Sequence, residues 1–220
     1  MSVQIVAEFL LVISASLALA FLLNWCWRGP SWSKSAIKTG SVAGLAGVAA
    51  LLGLPGWLVL ALALGSAGDY FLSRPGERAF LAGLVSFALA HLAYVALMAG
   101  PARLANLPWA LAGGLVLFGI GMALLLWPRT GAMRAPVMVY VVIICLMGAL
   151  ALAQPESNRG WTLAAGLFIL SDAVLSLELF VLRDGHPARR LTPFVIWATY
   201  WLAQAGFLWT AMSIVATQAL

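Results

Sequence analysis

Residues 160–182 read GWTLAAGLFILSDAVLSLELFVL, and these 23 positions hold only two charged side chains, Asp172 and Glu178. An apolar run of this length matches the roughly 20 residues that carry a helix across a bilayer. A carboxylate inside hydrocarbon is costly, so an acid in mid-run normally faces a polar cavity or a partner. Asp172 lies ten residues from the end of the run, about 15 Å in at the helical rise and near a bilayer's midplane. The stretch thus predicts a transmembrane helix and a reason for its polar interior.

The remainder of the chain has the same character. Of 220 residues, 64% are hydrophobic and 9% charged, against about 25% charged in an ordinary soluble domain. Mean hydropathy is +1.02 over the whole length. Breaking the apolar runs at polar, Pro or Gly clusters gives spans near 4–24, 36–53, 56–73, 78–99, 107–127, 135–153, 160–182 and 192–217. The expected fold is all-α, a polytopic bundle of about eight transmembrane helices forming one membrane domain over residues 1–220. Gly53-Leu54-Pro55-Gly56 is the weakest break, and it leaves open a seven-span arrangement with a long re-entrant segment. The opening MSVQIVAE has no Lys or Arg, and no small-residue cleavage site follows before Leu23, so a retained first span is expected.

The net charge of +5 comes from 12 Lys and Arg scattered between apolar runs. No basic stripe with interleaved aromatics forms, which excludes a nucleic-acid surface. Arg28, Lys34, Lys38, Arg74, Arg78, Arg129, Arg134, Arg183, Arg189 and Arg190 fall on one side of the predicted bundle, and only Arg103 and Arg159 on the other. The positive-inside rule puts the crowded side in the cytoplasm and both termini outside, in a plasma (bacterial inner) membrane. Trp25, Trp27, Trp32, Trp57, Trp109, Trp127, Trp161 and Trp209 lie near predicted ends and read as interfacial belts. Gly40, Gly44 and Gly47, like Gly113, Gly114 and Gly121, read as sites of close helix approach. Cys26 and Cys145, far apart in apolar runs, suit neither a disulfide framework nor a thiolate site.

Polar residues inside spans are the candidates for function. Asp69 lies four residues from the end of span three, about 6 Å in, and so nearer water than Asp172. Glu178 is six residues from Asp172, about 120° round the helix, so one narrow face cannot hold both. Glu8 is shallow. His91 and Tyr94 share a face of span four with Phe87, Tyr200 and Gln204 form an i,i+4 pair on span eight, and span six carries Tyr140 near Arg134. Ser171 and Ser176 flank Asp172. The pattern predicts a polar pocket opening to the cytoplasm. Taken singly, each buried acid serves equally well as hydrogen-bonded glue between helices. With only His91 and His186, and no HExxH or CxxC, no metal is expected; no GxSxG elbow or glycine-rich phosphate loop occurs either.

These residues also carry a likeness. GDYFL at Gly68–Leu72, FxxGLxxFxxAHxxY from Phe80 to Tyr94 and Pro136 with Tyr140 form its first half. GLFxxSDAxL at Gly166–Leu175 and YxxAQ at Tyr200–Gln204 complete it. In this order and spacing, the chain resembles the YhhN family, which includes lysoplasmalogenases. The resemblance covers spans three to eight and implies an eight-helix membrane fold. It implies hydrolysis of the vinyl ether bond of a lysoplasmalogen, giving a fatty aldehyde and a glycerophospho-choline or -ethanolamine. It maps the family's acids onto Asp69 and Asp172, with Lys38, Tyr94, Tyr200 and Gln204 at further polar positions.

The chemistry suits the residue types. A vinyl ether is cleaved by protonation of its outer alkene carbon, which leaves an oxocarbenium-like cation that water attacks. A neutral carboxylic acid supplies the proton, and a carboxylate stabilises the cation and deprotonates water. The expected partners are a membrane phospholipid or lysolipid and water, with no cofactor; oligomeric state is not legible. Lys38 or Arg134 is expected to hold a lipid phosphate, or else to act as a positive-inside anchor. By depth, Asp172 is the expected acid and Asp69 the base or cation stabiliser, although a coupled pair allows the reverse. A lipid or small-molecule transporter built on buried acids is the alternative function, and would be expected to show pseudo-repeats between its halves.

Overall fold

The computed structural model describes residues 2–218. Their regular structure is helical throughout: α1 (Val3–Asn24), α2 (Trp32–Leu51), α3 (Gly56–Leu72), α4 (Glu77–Ala99), α5 (Trp109–Leu126), α6 (Arg134–Leu152), α7 (Arg159–Phe180) and α8 (Thr192–Gln218). The predicted limits hold to within a few residues. The largest shift is at α2, which begins at Trp32 because the Ser31 side chain caps it by accepting from the Lys34 backbone N–H. Lys34 therefore belongs to a helix and not to a loop. Gly53, with φ of +63°, turns the chain between α2 and α3.

Among the described residues, five segments are long and apolar enough to cross a membrane: Val3–Asn24, Glu77–Ala99, Trp109–Leu126, Gly131–Leu152 and Glu156–Phe180. That is fewer than the eight expected. The α3 helix is apolar but has only 17 residues, while α2 and α8 are long enough and lose apolarity to Lys, Ser, Thr and Gln. The outer surface is as apolar as the interior: Phe9, Leu117, Leu124, Val142 and Leu163 are all exposed. A water-soluble chain does not display such a belt. The protein is an integral membrane protein of helical, polytopic type.

Sequence neighbours pack as pairs, α1 on α2, α2 on α3, α3 on α4, α6 on α7 and α7 on α8, with α4 closing against α6. Small residues set the closest approaches. A Cβ on Gly44 would lie 2.9 Å from that of Ser14, and one on Gly47 2.7 Å from Leu10. In α5, Gly113, Gly114 and Gly121 meet nothing within 4 Å, because most of that helix's surface faces outward at the edge of the bundle; its close approach is at Gly119, where a Cβ would lie 2.7 Å from the Cys145 sulfur. Buried side chains tie helices through backbone carbonyls. Ser66 donates to Thr39 at 3.0 Å, Ser86 to Leu64 at 2.7 Å and the Trp197 indole to Ala18 at 2.9 Å. Trp161 likewise donates inward to Phe207 and is buried, so it is a core residue and not part of a belt. Trp27, Trp32, Trp57, Trp109, Trp127 and Trp209 remain exposed, as belt residues must.

Candidate active site

A cavity of about 300 Å³ enters the bundle, lined by Asp69, Asp172, Lys38, Tyr140 and Tyr200 and otherwise mainly by apolar side chains. Its walls come mainly from the C-terminal halves of α1, α3, α5 and α7, such as Phe21, Leu72, Leu126 and Leu179. The facing walls come from the N-terminal halves of α2, α4, α6 and α8, such as Lys34, Phe80, Val137 and Pro193. Ten of the twelve basic residues lie in those helix ends or in the loops beside them, so cavity and positive charge share one end of the bundle.

Asp69 is held from two sides. Lys38 Nζ lies 3.0 Å from its Oδ1, and the Tyr200 hydroxyl donates to Oδ2 at 2.7 Å. Gln204 donates in turn to the Tyr200 oxygen at 3.1 Å and accepts from Tyr94. Tyr94 and Gln204 thus form a layer behind Tyr200, away from the cavity wall. Two glycines make room. A Cβ on Gly65 would collide with the Gln204 amide, and one on Gly68 would lie 2.7 Å from the Phe87 ring. The small residues before Asp69 therefore let α8 and α4 close around its carboxylate.

Asp172 has different company. The Tyr140 hydroxyl donates to its Oδ2 at 2.5 Å, and His91 Nε2 stands 3.8 Å from the same oxygen. His91 is wholly buried, and its Nδ1 lies 2.6 Å from the Phe87 carbonyl. A carbonyl only accepts, so Nδ1 carries a hydrogen, and in the neutral ring Nε2 presents a lone pair toward Asp172. At 3.8 Å Nε2 makes no hydrogen bond, to Asp172 or to any other described residue. The Phe168 ring separates the two arrangements, 4.5 Å from the His91 ring and 5.3 Å from Tyr200 between centroids.

The burial order reverses the one expected from helix depth. The Asp69 side chain is 0% exposed and that of Asp172 16%, because Gly65, Gly68 and Lys38 let neighbouring helices seal Asp69 while α7 opens on the cavity. Glu178 also lines the cavity, which is too wide to be confined to one narrow face of α7. His91 pairs with Asp172 and not with Asp69. Ser171 and Ser176 both line the cavity, and Ser171 donates to the Ile196 carbonyl at 2.9 Å. Lys38, a candidate phosphate holder, is committed to Asp69. Arg134, the other candidate, donates to the Trp127 carbonyl at 3.0 Å, lies over the Trp127 ring and is absent from the cavity lining. Lys34 does line the cavity, a role its assignment to a loop concealed. Among the described residues, no three His, Cys, Asp or Glu side chains converge to hold a metal.

Comparison with known proteins gives this arrangement a family. The chain is 32% identical over 161 residues to a lysoplasmalogenase of Mycobacterium bovis, covering 69% of this chain and 60% of that protein. A Mycobacterium tuberculosis lysoplasmalogenase matches to the same extent. Lysoplasmalogenase TMEM86A of Homo sapiens is 34% identical over 158 residues, covering 67% of this chain and 61% of its own length. The chain thus spans about three fifths of the length of these relatives. No solved structure gives a significant match. The YhhN family model matches residues 33–211, a range that takes in both aspartates and every partner named for them, and the chain belongs to the YhhN family.

Proposed function

We propose that this protein hydrolyses the vinyl ether bond of a lysoplasmalogen, the activity named in its relatives. One observation carries the reading: two aspartates line one mainly apolar cavity with opposite kinds of partner. Asp69 has an ammonium and a hydroxyl donor, which suit a carboxylate. Asp172 faces a hydroxyl donor and, 3.8 Å away, an imidazole lone pair, and it has no ammonium or guanidinium within ion-pair distance. Asp172 is then the general acid and Asp69 the cation stabiliser and base. The assignment rests on these partners and not on depth.

The steps balance. The Asp172 proton is transferred to the outer alkene carbon, and the π pair forms the new C–H bond. The resulting oxocarbenium ion is stabilised by the Asp69 carboxylate. Water adds to the cationic carbon and loses a proton to Asp69, giving a hemiacetal. The hemiacetal hydroxyl returns a proton to Asp172 as the carbon–oxygen bond to glycerol breaks. Asp69 passes its proton to the departing glycerol oxygen. A fatty aldehyde and a glycerophospho-headgroup leave, and both acids are restored. Tyr140 and His91 position Asp172 and its proton, while Lys38, Tyr200, Gln204 and Tyr94 hold Asp69.

The same reading takes the chain as one membrane domain of eight spans in a plasma membrane. The ten-to-two split of basic residues supports a cavity mouth in the cytoplasm and both termini outside. The test is hydrolysis by purified protein of lysolipids matched in chain and headgroup, with a vinyl ether, a saturated ether or an ester at the first glycerol position. Aldehyde release from the vinyl ether alone is expected. Absence of aldehyde, or equal cleavage of the ester, would overturn the reading.

A further inference from the structure

Two charged side chains line the cavity without serving either aspartate: Lys34, in the first turn of α2, and Glu178, in the last turn of α7. From Asp172 to Glu178 the helix advances about 9 Å toward the crowded end of the bundle. Lys34 Nζ donates to the Arg28 carbonyl and, at 3.4 Å, to that of Cys26. An ammonium has three donors, so one remains. Glu178 accepts from the Thr192 hydroxyl through Oε2. Arg189 bypasses its carboxylate, donating to the Glu178 backbone carbonyl at 2.7 Å and to Asp184 at 2.6 Å. Among the described residues, no ion pair within 4.0 Å involves Lys34 or Glu178. One cation and one anion therefore open on a single, mainly apolar space without neutralising each other. Half-buried charges of this kind are stabilised by a ligand of complementary charge.

We propose that Lys34 and Glu178 form a headgroup subsite for a zwitterionic phospho-amine lipid, with Lys34 binding the phosphate and Glu178 the cationic amine. Acyl or alkenyl carbons then occupy the apolar walls, and the first glycerol position falls deeper, beside the aspartates. A lipid ending in phosphate alone meets Lys34 but is repelled by Glu178. One without a headgroup satisfies neither. The proposal rests on the cavity holding a lipid, as the proposed function requires, and it replaces Lys38 and Arg134 as the headgroup contacts.

The test uses full-length protein in micelles and 1-O-alkyl lysolipids, which lack the vinyl bond and are not cleaved. Three are titrated against tryptophan fluorescence, ending in phosphoethanolamine, in phosphate or in the bare glycerol. Wild type should bind the phosphoethanolamine form about tenfold tighter than either other. Glu178→Gln keeps an acceptor for Thr192 and should erase the preference over phosphate. Lys34→Gln should erase the preference of phosphate-bearing ethers over bare glycerol, and Lys34→Arg should retain it. Equal binding of all three by wild type overturns the proposal, as does an unchanged order in both charge-removing variants. Preference without hydrolysis of any vinyl ether would count against the catalytic reading alone, and hydrolysis with no preference against the subsite alone.

Discussion

Lys38 Nζ stands 3.0 Å from Asp69 Oδ1, an ion pair in which the carboxylate is wholly buried and the ammonium 18% exposed. Breaking such a pair from one side leaves a desolvated charge and costs about 3–5 kcal/mol, whereas removing both charges is far milder. Lys38→Met should therefore destabilise the protein by roughly that amount. Adding Asp69→Asn should recover a large part of the loss, since Tyr200 can still donate to the amide oxygen. Thermal unfolding of the wild type, both single variants and the double variant in one detergent gives the coupling. Strict additivity would sink the pairing.

His91 supplies the second prediction. Its Nε2 is the buried group aimed at Asp172, and its ring packs edge-on against Phe168 and Tyr140. His91→Phe preserves a ring of similar shape and removes the lone pair. Turnover should fall about 10²-fold with KM nearly unchanged, as expected when proton handling and not binding is lost. Steady-state kinetics on the vinyl ether substrate decides it. A raised KM with intact kcat would make His91 part of the binding surface instead.

The fold was largely legible because each helix is a separate apolar run broken by Pro, Gly or charge. Asp69 and Asp172 were legible as candidates because a carboxylate in such a run is rare. Their partners were not. Lys38 reads as a phosphate holder or an anchor near a helix end, and only the packing of α2 on α3 brings it to Asp69. Tyr140 and His91 lie on different helices from Asp172, and no sequence spacing reports which helices meet. Depth along a helix also misled: Asp69 is nearer its helix end than Asp172 yet more completely enclosed, because Gly65 and Gly68 admit neighbours beside it. Burial across a bundle depends on side-chain size on the next helix, which no single-helix count contains.

Orientation gives the third prediction. With ten basic residues at the cavity end, reporter fusions within the 183–191 loop should report the cytoplasm, and fusions after residue 220 the opposite side. If the fusions report so, the cavity is reached from the cytoplasmic leaflet. Both reporters on one side would overturn the eight-span topology.

The last prediction concerns the two aspartates together. Asp172→Asn retains an acceptor for Tyr140 but has no carboxyl proton to donate, so protonation of the alkene carbon should become very slow. Asp69→Asn retains the Tyr200 hydrogen bond but loses the charge that faces the oxocarbenium ion and the base that takes the water's proton. Each should lower turnover by about 10²–10⁴-fold. Helix glue predicts a different outcome, because an amide that keeps the hydrogen bond should then keep activity. Solvent isotope effects separate the steps within the reaction. If carbon protonation limits turnover in the wild type, the reaction must slow in heavy water, since the transferred proton exchanges with solvent through Asp172. Asp69→Asn should shift the limiting step toward water addition and weaken that sensitivity. Undiminished hydrolysis by inserted, folded Asp172→Asn would remove it as the acid. Full turnover in Asp69→Asn would leave stabilisation of the cation to other groups.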